Sequence, residues 1–444
     1  MIRTIRNAWK VQELRNKLLF TVFALLIFRV GAAIPVPFID SDLLSTYMEA
    51  QSASIFGLLN VMSGDAFAYA TVFALSIQPY INSSIIIQLL TIAIPALERL
   101  AREGGEEGKK KIAAITRYTT VGIALIQAFG YYTFINSYGV ISASGVWPAI
   151  VIIAAFTAGS AFIMWLGEQI TEFGVGNGIS IILFGGIVAR GPGMVTNIIA
   201  GVRNWASGAD PKSAMTLHPA FIALIIVGML LLVVFVVFIT NAERRVPVQY
   251  AKRVVGRKMY GGQSSHIPIK VNMAGVMPII FAQAIASIPA TIGMFVPSAT
   301  QDGTGWNTFL KIFDSNGLVY SIVYFLLIVL FSYFYNTIQF NPVEISNNLR
   351  KNGGFVPGFR PGKPTADFLH KVVSRLTLFG ALFLAVVALL PAITGNIMNA
   401  VGSSAGSSLA IGGTSIIIVV GVALETTKAL EAQLMMRHYK GFLE

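Results

Sequence analysis

The side chains that could perform covalent or acid–base chemistry are few in this sequence and poorly spaced for it. Gly402-x-Ser404-x-Gly406 has the pattern of a nucleophile elbow, but it lies in a Gly/Ser run without the strand–turn–helix setting that exposes such a serine. The histidines are His218, His266, His370 and His438, and the last three fall across the membrane from Ser404 in the topology derived below. There are 0 cysteines, which excludes disulfides, thiolate catalysis and cysteine metal sites. No HExxH occurs, and no His/Asp/Glu set has metal-ligand spacing. Gly174-Val-Gly-Asn-Gly178 lacks the last glycine of a phosphate-binding GxGxxG and follows no strand, so it reads as a tight turn. The expectation is a protein with no catalytic residues, no metal, no cofactor and no nucleotide motif of its own.

The informative polar residues lie elsewhere, in Gly57–Thr91. Its second part is apolar enough to enter a bilayer, yet it carries Ser76, Gln78, Pro79, Asn82, Ser83, Ser84 and Gln88. Unsatisfied polar groups in hydrocarbon cost several kcal/mol each, so a lipid-surrounded helix does not tolerate that load. At helical spacing Ile77, Ile81 and Ile85 form one stripe, with Gln78 and Asn82 beside it and Ser84 and Gln88 on another face. Pro79 predicts a kink. The preceding piece, with Asn60, Ser63, Gly64 and Asp65, is too polar to span. The pattern predicts a half-inserted element followed by a helix lining an internal cavity.

The elements that must hold this stretch are membrane helices. The chain is 55% hydrophobic and 12% charged, with a mean hydropathy of +0.71, against about 25% charged in soluble domains. Apolar runs of membrane-spanning length fall near Leu18–Val36, Thr71–Pro95, Tyr118–Tyr138, Pro148–Leu166, Ile179–Ile199, Ala220–Thr240, Met273–Val296, Leu318–Gln339, Leu376–Thr394 and Leu409–Leu424. Of the 32 Lys and Arg, 27 lie in the termini and alternate loops of one side and 4 are assigned to the other, Arg190 of the fifth span among them. Arg29, inside the first span, completes the set; it reads either as a snorkelling side chain or as a structural hydrogen-bond donor. By the positive-inside rule both termini are cytoplasmic. The N-terminal MIRTIRNAWKVQELRNK alternates basic and apolar residues like an amphipathic surface helix.

Two pairs of stretches repeat five spans apart. Asn177-Gly-Ile-Ser-Ile-Ile-Leu183 opens the fifth span as Gly412-Gly-Thr-Ser-Ile-Ile-Ile418 opens the tenth, and Pro79-Tyr-Ile81 matches Pro278-Ile-Ile280. Five spans per half make the second half run opposite to the first, an inverted repeat with a site expected between the halves. Three cytoplasmic segments are basic. The two long ones, Glu243–Lys270 and Phe340–Arg375, also carry the aromatics Tyr250, Tyr260, Phe355 and Phe359. The topology rule explains their sign; their length and aromatics leave open an anionic partner.

The stretches FRVGAAIPVP, FALSIQPYINSSIIIQLLT, GEQITEFGVGNGISI, YAKRVVGRKMYGGQSSHIPIKVNMAGVMP, FNPVEISNNLRKNGGFVPGFRPGKPT and GGTSIIIVVGVALE resemble those of the SecY family over essentially the whole chain. The cytoplasmic loops look bacterial. The resemblance implies an all-α polytopic membrane protein whose ten transmembrane helices form two inverted five-helix halves around a central pore. The implied organisation is a cytoplasmic N-terminal segment (1–17), a first half (18–200), an external linker (201–219), a second half (220–425) with cytoplasmic loops at 241–272 and 340–375, and a cytoplasmic tail (426–444). It implies a pore ring at Ile77, Ile81, Ile179, Leu183, Ile280 and Ile418, with leucine at 183 where related bacterial sequences often have isoleucine. A plug at about 56–70 would include Phe56, Asn60, Ser63, Gly64, Asp65 and Phe67. A lateral gate would open between the second and third spans and the seventh and eighth, with Gln88 and Gln127 on the first-half side. Motor or ribosome docking would fall on Arg244, Arg245, Arg257, Lys258, Arg360 and Lys363. The implied partners are SecE, SecG, the SecA motor, the ribosome, signal sequences and preproteins, and membrane lipids; the implied location is the bacterial plasma membrane.

The rival reading is a secondary transporter with five-plus-five inverted repeats. Proton coupling ordinarily places Asp, Glu or His within spans. Here Glu168, Glu172, Glu243 and Glu425 stand at span ends or in loops.

Overall fold

The structure, a computed structural model, describes residues 2–50, 59–60, 63–102, 104–143, 145–207, 219–250, 253–255, 258–260, 264–295, 317–400 and 413–440. Phe56, Arg257, His218 and the Ser404 loop lie outside the described residues.

Each of the ten expected places carries helix. An amphipathic α1 (Ile2–Lys10) precedes α2 (Gln12–Gly31), the first span, and α3 (Ser41–Ala50) follows it. The second span is α4 (Gln78–Ala93), and α5 (Pro95–Arg102) leaves it at 105°. Next come α6 (Gly105–Ser137), α7 (Val146–Phe173) and the fifth span, divided into α8 (Gly178–Ala189) and α9 (Gly191–Ala206). In the second half α10 (Pro219–Asn241) leads to strands β1 (Glu243–Tyr250), β2 (Arg253–Val255), β3 (Lys258–Tyr260) and β4 (Ser264–Lys270). The seventh span follows as α11 (Met277–Ala286) and α12 (Ile288–Gly293). Then come α13 (Leu318–Gln339), α14 (Pro342–Lys351), β5 (Gly354–Phe355), α15 (Lys363–Ala400) and α16 (Gly413–Lys440).

Among the described residues six helices are long and apolar enough to cross a membrane, seven when the bent pair α4–α5 counts as one. The remaining expected spans fall short for local reasons. Helix α2 contains Arg15, Lys17 and Arg29. The seventh span breaks at Ser287. The tenth starts at Gly413, next to undescribed residues. The fifth span, Gly178–Ala206, is among those that qualify, and its regular helix is interrupted locally at Arg190, a charge within the range expected to be continuous helix.

The second span differs from expectation. Pro79 does not kink it but stands in the first turn of α4. First-turn N–H groups have no intrahelical acceptor, so a residue without one is tolerated there. The residues before it, 64–77, are turns rather than regular helix. Their backbone groups are met by protein. Val36 N–H donates to Ala70 C=O (3.2 Å) and Val72 N–H to Ile34 C=O (3.0 Å). The Ser160 hydroxyl donates to Ser76 C=O at 3.3 Å. Such internal pairing permits irregular backbone at membrane depth.

One apolar core joins both halves, running from Phe28, Phe73, Ile163 and Ile182 to Ile279, Phe331, Leu384 and Ile418. A second, smaller core forms a separate lobe. Strand order is β4-β1-β5, all antiparallel, with Arg244 opposite Ile269 and Gln249 opposite Phe355. Val246, Val248, Ile269, Leu349, Val356, Leu369 and Val373 pack beneath. The two long basic loops are therefore one folded unit.

Candidate functional site

Five of the six aliphatics expected to converge are buried in the main core. Ile77, Ile81, Leu183, Ile280 and Ile418 are 1–3% exposed, and Ile179 packs half-buried against them. None is turned outward. Local geometry explains their placement. Ile77 immediately precedes α4, and Ile81 N–H donates back to its carbonyl at 3.1 Å. Ile280 stands in the same way in the first turn of α11, two residues after Pro278, with its N–H donating to Val276 C=O at 3.2 Å. The two Pro-x-Ile stretches paired in the sequence thus occupy equivalent helix starts.

Asn177 caps α8: its Oδ1 accepts the Ile179 N–H at 3.0 Å. Gly178 has a steric reason, since a Cβ there would lie 1.9 Å from the Gly167 carbonyl oxygen. The Gly174–Gly178 run is therefore a turn that brings α8 onto α7. A methyl on Gly167 would meet Ile77 Cδ1 at 3.6 Å and Ile179 Cγ1 at 3.8 Å, so those two side chains approach one point from different helices.

The half-inserted segment sits against this cluster. Ser63 Oγ accepts the Phe67 N–H at 3.0 Å, Asn60 Nδ2 donates to Asp65 Oδ1 at 2.9 Å, and Asn60 Oδ1 accepts the Ala68 N–H at 2.9 Å. The Tyr131 hydroxyl donates to Phe67 C=O, and the two rings lie 4.5 Å apart. Arg29 is a structural donor, its Nη1 reaching Gly64 C=O at 3.1 Å. A small cavity is lined by Ser63 and Phe67 of this segment, by Ile77 and Leu183, by Gln127, and by Met294 of the second half.

The seam between halves is closed by residues the sequence reading had not assigned. Gln78 Nε2 donates to Ser287 Oγ at 3.2 Å. The Thr133 hydroxyl stands 2.7 Å from both Met294 C=O across the seam and Gly130 C=O in its own helix, sharing one hydrogen between them, and Phe129 and Phe295 lie 6.2 Å apart. Of the two glutamines expected there, Gln127 is buried at the cavity, whereas Gln88 bonds within its own helix, to Ser84 Oγ at 3.4 Å. The signal for Gln78 was present, an amide next to the isoleucine stripe. Ser287 and Thr133 had no such signal.

On the smaller lobe Arg244, Arg245, Arg360 and Lys363 are exposed. Arg245 Nε pairs with Glu243 Oε1 at 2.8 Å, and Lys258 lies on β3. Arg360 stands on a built turn. Phe359 stacks on Phe368 at 4.2 Å, the Arg360 carbonyl accepts the Thr365 hydroxyl at 2.8 Å, and Gly362 C=O accepts Ser346 Oγ–H at 2.6 Å. At the foot of α16, burial first and the nearby Lys270 second hold the Lys428 ammonium below its usual range.

Comparison with known proteins accords with this geometry. A family model described as SecY matches residues 71–427. The Protein translocase subunit SecY of Bacillus licheniformis is 44% identical over 448 residues, covering 100% of both chains. Two solved structures share the fold. "The structure of a protein conducting channel" has a TM-score of 0.64 at 17% identity, covering 94% of this chain and 92% of that one. "Sec61 in the Canine ribosome-channel complex from the endoplasmic reticulum" has a TM-score of 0.60 at 15% identity, covering 94% and 92%. With a family match over most of the chain and a full-length relative at this identity, the chain belongs to the SecY family.

Proposed function

We propose that this multi-pass membrane protein is a protein-conducting channel. It passes unfolded secretory polypeptides between its halves and releases apolar segments sideways into lipid. The observation that carries this reading is that Ile77, Ile81, Leu183, Ile280 and Ile418, with Ile179 packed against them, lie in one apolar core drawn from both halves, and that Ile77 and Leu183 share a cavity with Ser63 and Phe67 of the preceding segment. Aliphatic side chains make no hydrogen bonds to a moving polypeptide and so do not hold it. A ring without polar groups also offers no substitute for ion hydration, so it resists leakage when narrow. The segment at about 56–70, described from residue 59, acts as the plug under that ring.

Sideways release follows from solvation. Each Leu, Ile, Phe or Val gains about 0.3–0.6 kcal/mol on entering the helix centre in lipid. The seam crossed by Gln78–Ser287 and Thr133–Met294 is the exit we assign. The driving force comes from outside, from the SecA motor or a ribosome docking on the lobe around Arg360, with Arg244, Arg245, Arg257, Lys258 and Lys363 contributing charge. The canine channel of similar fold was solved in a ribosome-channel complex, which supports the second. SecE and SecG complete the assembly in the bacterial plasma membrane, with both termini cytoplasmic. The transporter reading has no support from the family match.

Single cysteines at Ile77 and Ile418 test the proposal, and the native chain contains 0 cysteines to compete. A precursor arrested in mid-export should crosslink to both. Crosslinking to neither, with export intact, would remove the constriction from the path.

A further inference from the structure

Two cations stand where apolar spans otherwise exclude charge, and they reach adjacent residues of one turn, Gly64 and Asp65. Arg29 lies within α2, and its Nη1 donates to the Gly64 carbonyl at 3.1 Å. Arg190 marks the break between α8 and α9, and its Nε lies 3.1 Å from Asp65 Oδ1, with side chains 29% and 37% exposed. Side chains that merely snorkelled toward an interface would not converge on one turn.

That turn is held in an unusual backbone conformation. Gly64 and Asp65 are successive left-handed residues, with φ of +67° and +71°, and Ala70 follows at +44°. Aspartate tolerates this region and glycine is at home in it, but alanine avoids it. A Cβ on Gly64 would lie 2.8 Å from the Gly186 carbonyl oxygen, so the segment's backbone rests directly on α8. Asn60 braces the same Asp65 oxygen at 2.9 Å. Among the described residues, the hydrogen bonds and ion pair that tie 60–71 to other elements run to the first half: Arg29, Val36, Tyr131 and Arg190.

We propose that the Asp65–Arg190 ion pair, with Arg29 on the Gly64 carbonyl, is an electrostatic latch that sets how readily the plug leaves the constriction. Arg190 and Arg29 are positioning residues: they act on the plug, and the plug acts on the permeant. The inference rests on reading 59–70 as the plug.

The test uses the assembled complex in proteoliposomes, with resting chloride efflux as the readout. Variants R190Q, D65N, their combination, R190K, and a chain with residues 63–69 replaced by a Gly-Ser linker are compared. A half-exposed ion pair predicts roughly a fivefold rise in resting efflux for R190Q and for D65N. The double variant should show the same factor, because each single change already removes the pair. R190K, which keeps the charge, should stay within about twofold of the unsubstituted chain. Singles at background while the linker variant leaks would overturn the latch. A double variant that multiplies the single effects would overturn the pairing. A linker variant that assembles yet does not leak would instead overturn the plug reading; if it fails to assemble, F67G, which removes the ring packed on Tyr131, takes its place in both comparisons.

Discussion

Replacing Gln78 with leucine should loosen the seam between the two halves by a calculable amount. The bond lost is Gln78 Nε2–H to Ser287 Oγ, 3.2 Å long and running from α4 to the break in the seventh span. Leucine keeps the approximate length and helix propensity of glutamine, so α4 is not disturbed. Ser287 is not stranded, because its hydroxyl hydrogen is already given to Ala284 C=O at 2.8 Å. The change therefore costs one neutral hydrogen bond, about 1 kcal/mol with a spread of about 0.5, and shifts the balance from closed toward parted by about fivefold. A signal sequence shortened by two leucines loses about 0.6–1.2 kcal/mol of lipid transfer, a matching quantity. In proteoliposomes, Q78L should thus restore export of the shortened precursor to near that of the full signal, with full-signal export unchanged. Adding T133V removes the second polar tie, Thr133 to Met294 C=O. The two ties share no partner, but the Thr133 hydrogen is also within reach of Gly130 C=O at 2.7 Å, so together they should shift the parted population by more than about fivefold and at most about 25-fold. Shortened-signal export no better in Q78L or Q78L/T133V than in the unsubstituted chain would show that these bonds do not set the closure of the seam.

Two further outcomes follow from the proposed reading. Ile81→Gly with Ile280→Gly removes two buried side chains from opposite halves of the constriction. Resting ion conductance in planar bilayers should rise, and conductance equal to the unsubstituted chain would count against their role. Arg360→Glu reverses an exposed charge on a turn held by Thr365 and the Phe359–Phe368 stack. Motor-driven export should fall while thermal unfolding stays within about 2–4 °C, the shift of about 1 kcal/mol in a chain of this size or smaller, and normal export would withdraw the docking assignment.

The parts of the fold legible in the sequence are those governed by solvation. Apolar runs and the placement of Lys and Arg follow from water and lipid alone, and helix occupies all ten expected places. What escaped depends on packing between distant segments. Pro79 carries the same local signal whether it bends a helix or begins one; the turns of 64–77, paired to residues 34–36, decide that it begins one. The smaller lobe hangs on Gln249 opposite Phe355 and Tyr250 opposite Gly354, a pairing over a hundred residues apart with no local cue. Gly354 permits it, since a Cβ there would lie 2.9 Å from Tyr250 Cε1. Isoleucines at helical spacing were readable, but the partner of Gln78 was not: a serine in an apolar helix looks the same whether it faces its own backbone or the opposite half. Arg190 stands within the apolar run 179–199 with no local sign of a partner, and only the fold ties it to Asp65.

The position of the aliphatic cluster along its helices bears on how such a constriction can widen. Ile77 precedes α4 and Ile81 ends its first turn; Ile179 and Leu183 flank the first turn and a half of α8; Ile280 lies in the first turn of α11 and Ile418 in the second of α16. A waist built from mid-helix residues would lie on straight cylinders and could open only by sliding or bending them. Helix starts are different. Their leading N–H groups lack intrahelical acceptors, and at α4, α8 and α11 a preceding turn, with Pro79, Asn177 or Pro278, meets or removes that need. Rocking one half against the other therefore separates aliphatic surfaces and the few seam bonds, such as Gln78–Ser287, while every intrahelical bond is kept. The energy at stake in opening is then a handful of polar ties and apolar contacts, each worth about a kcal/mol. That is within reach of a signal helix gaining a few tenths of a kcal/mol per apolar residue, whereas unravelling a turn of helix within the bilayer, at several kcal/mol per exposed backbone group, is not.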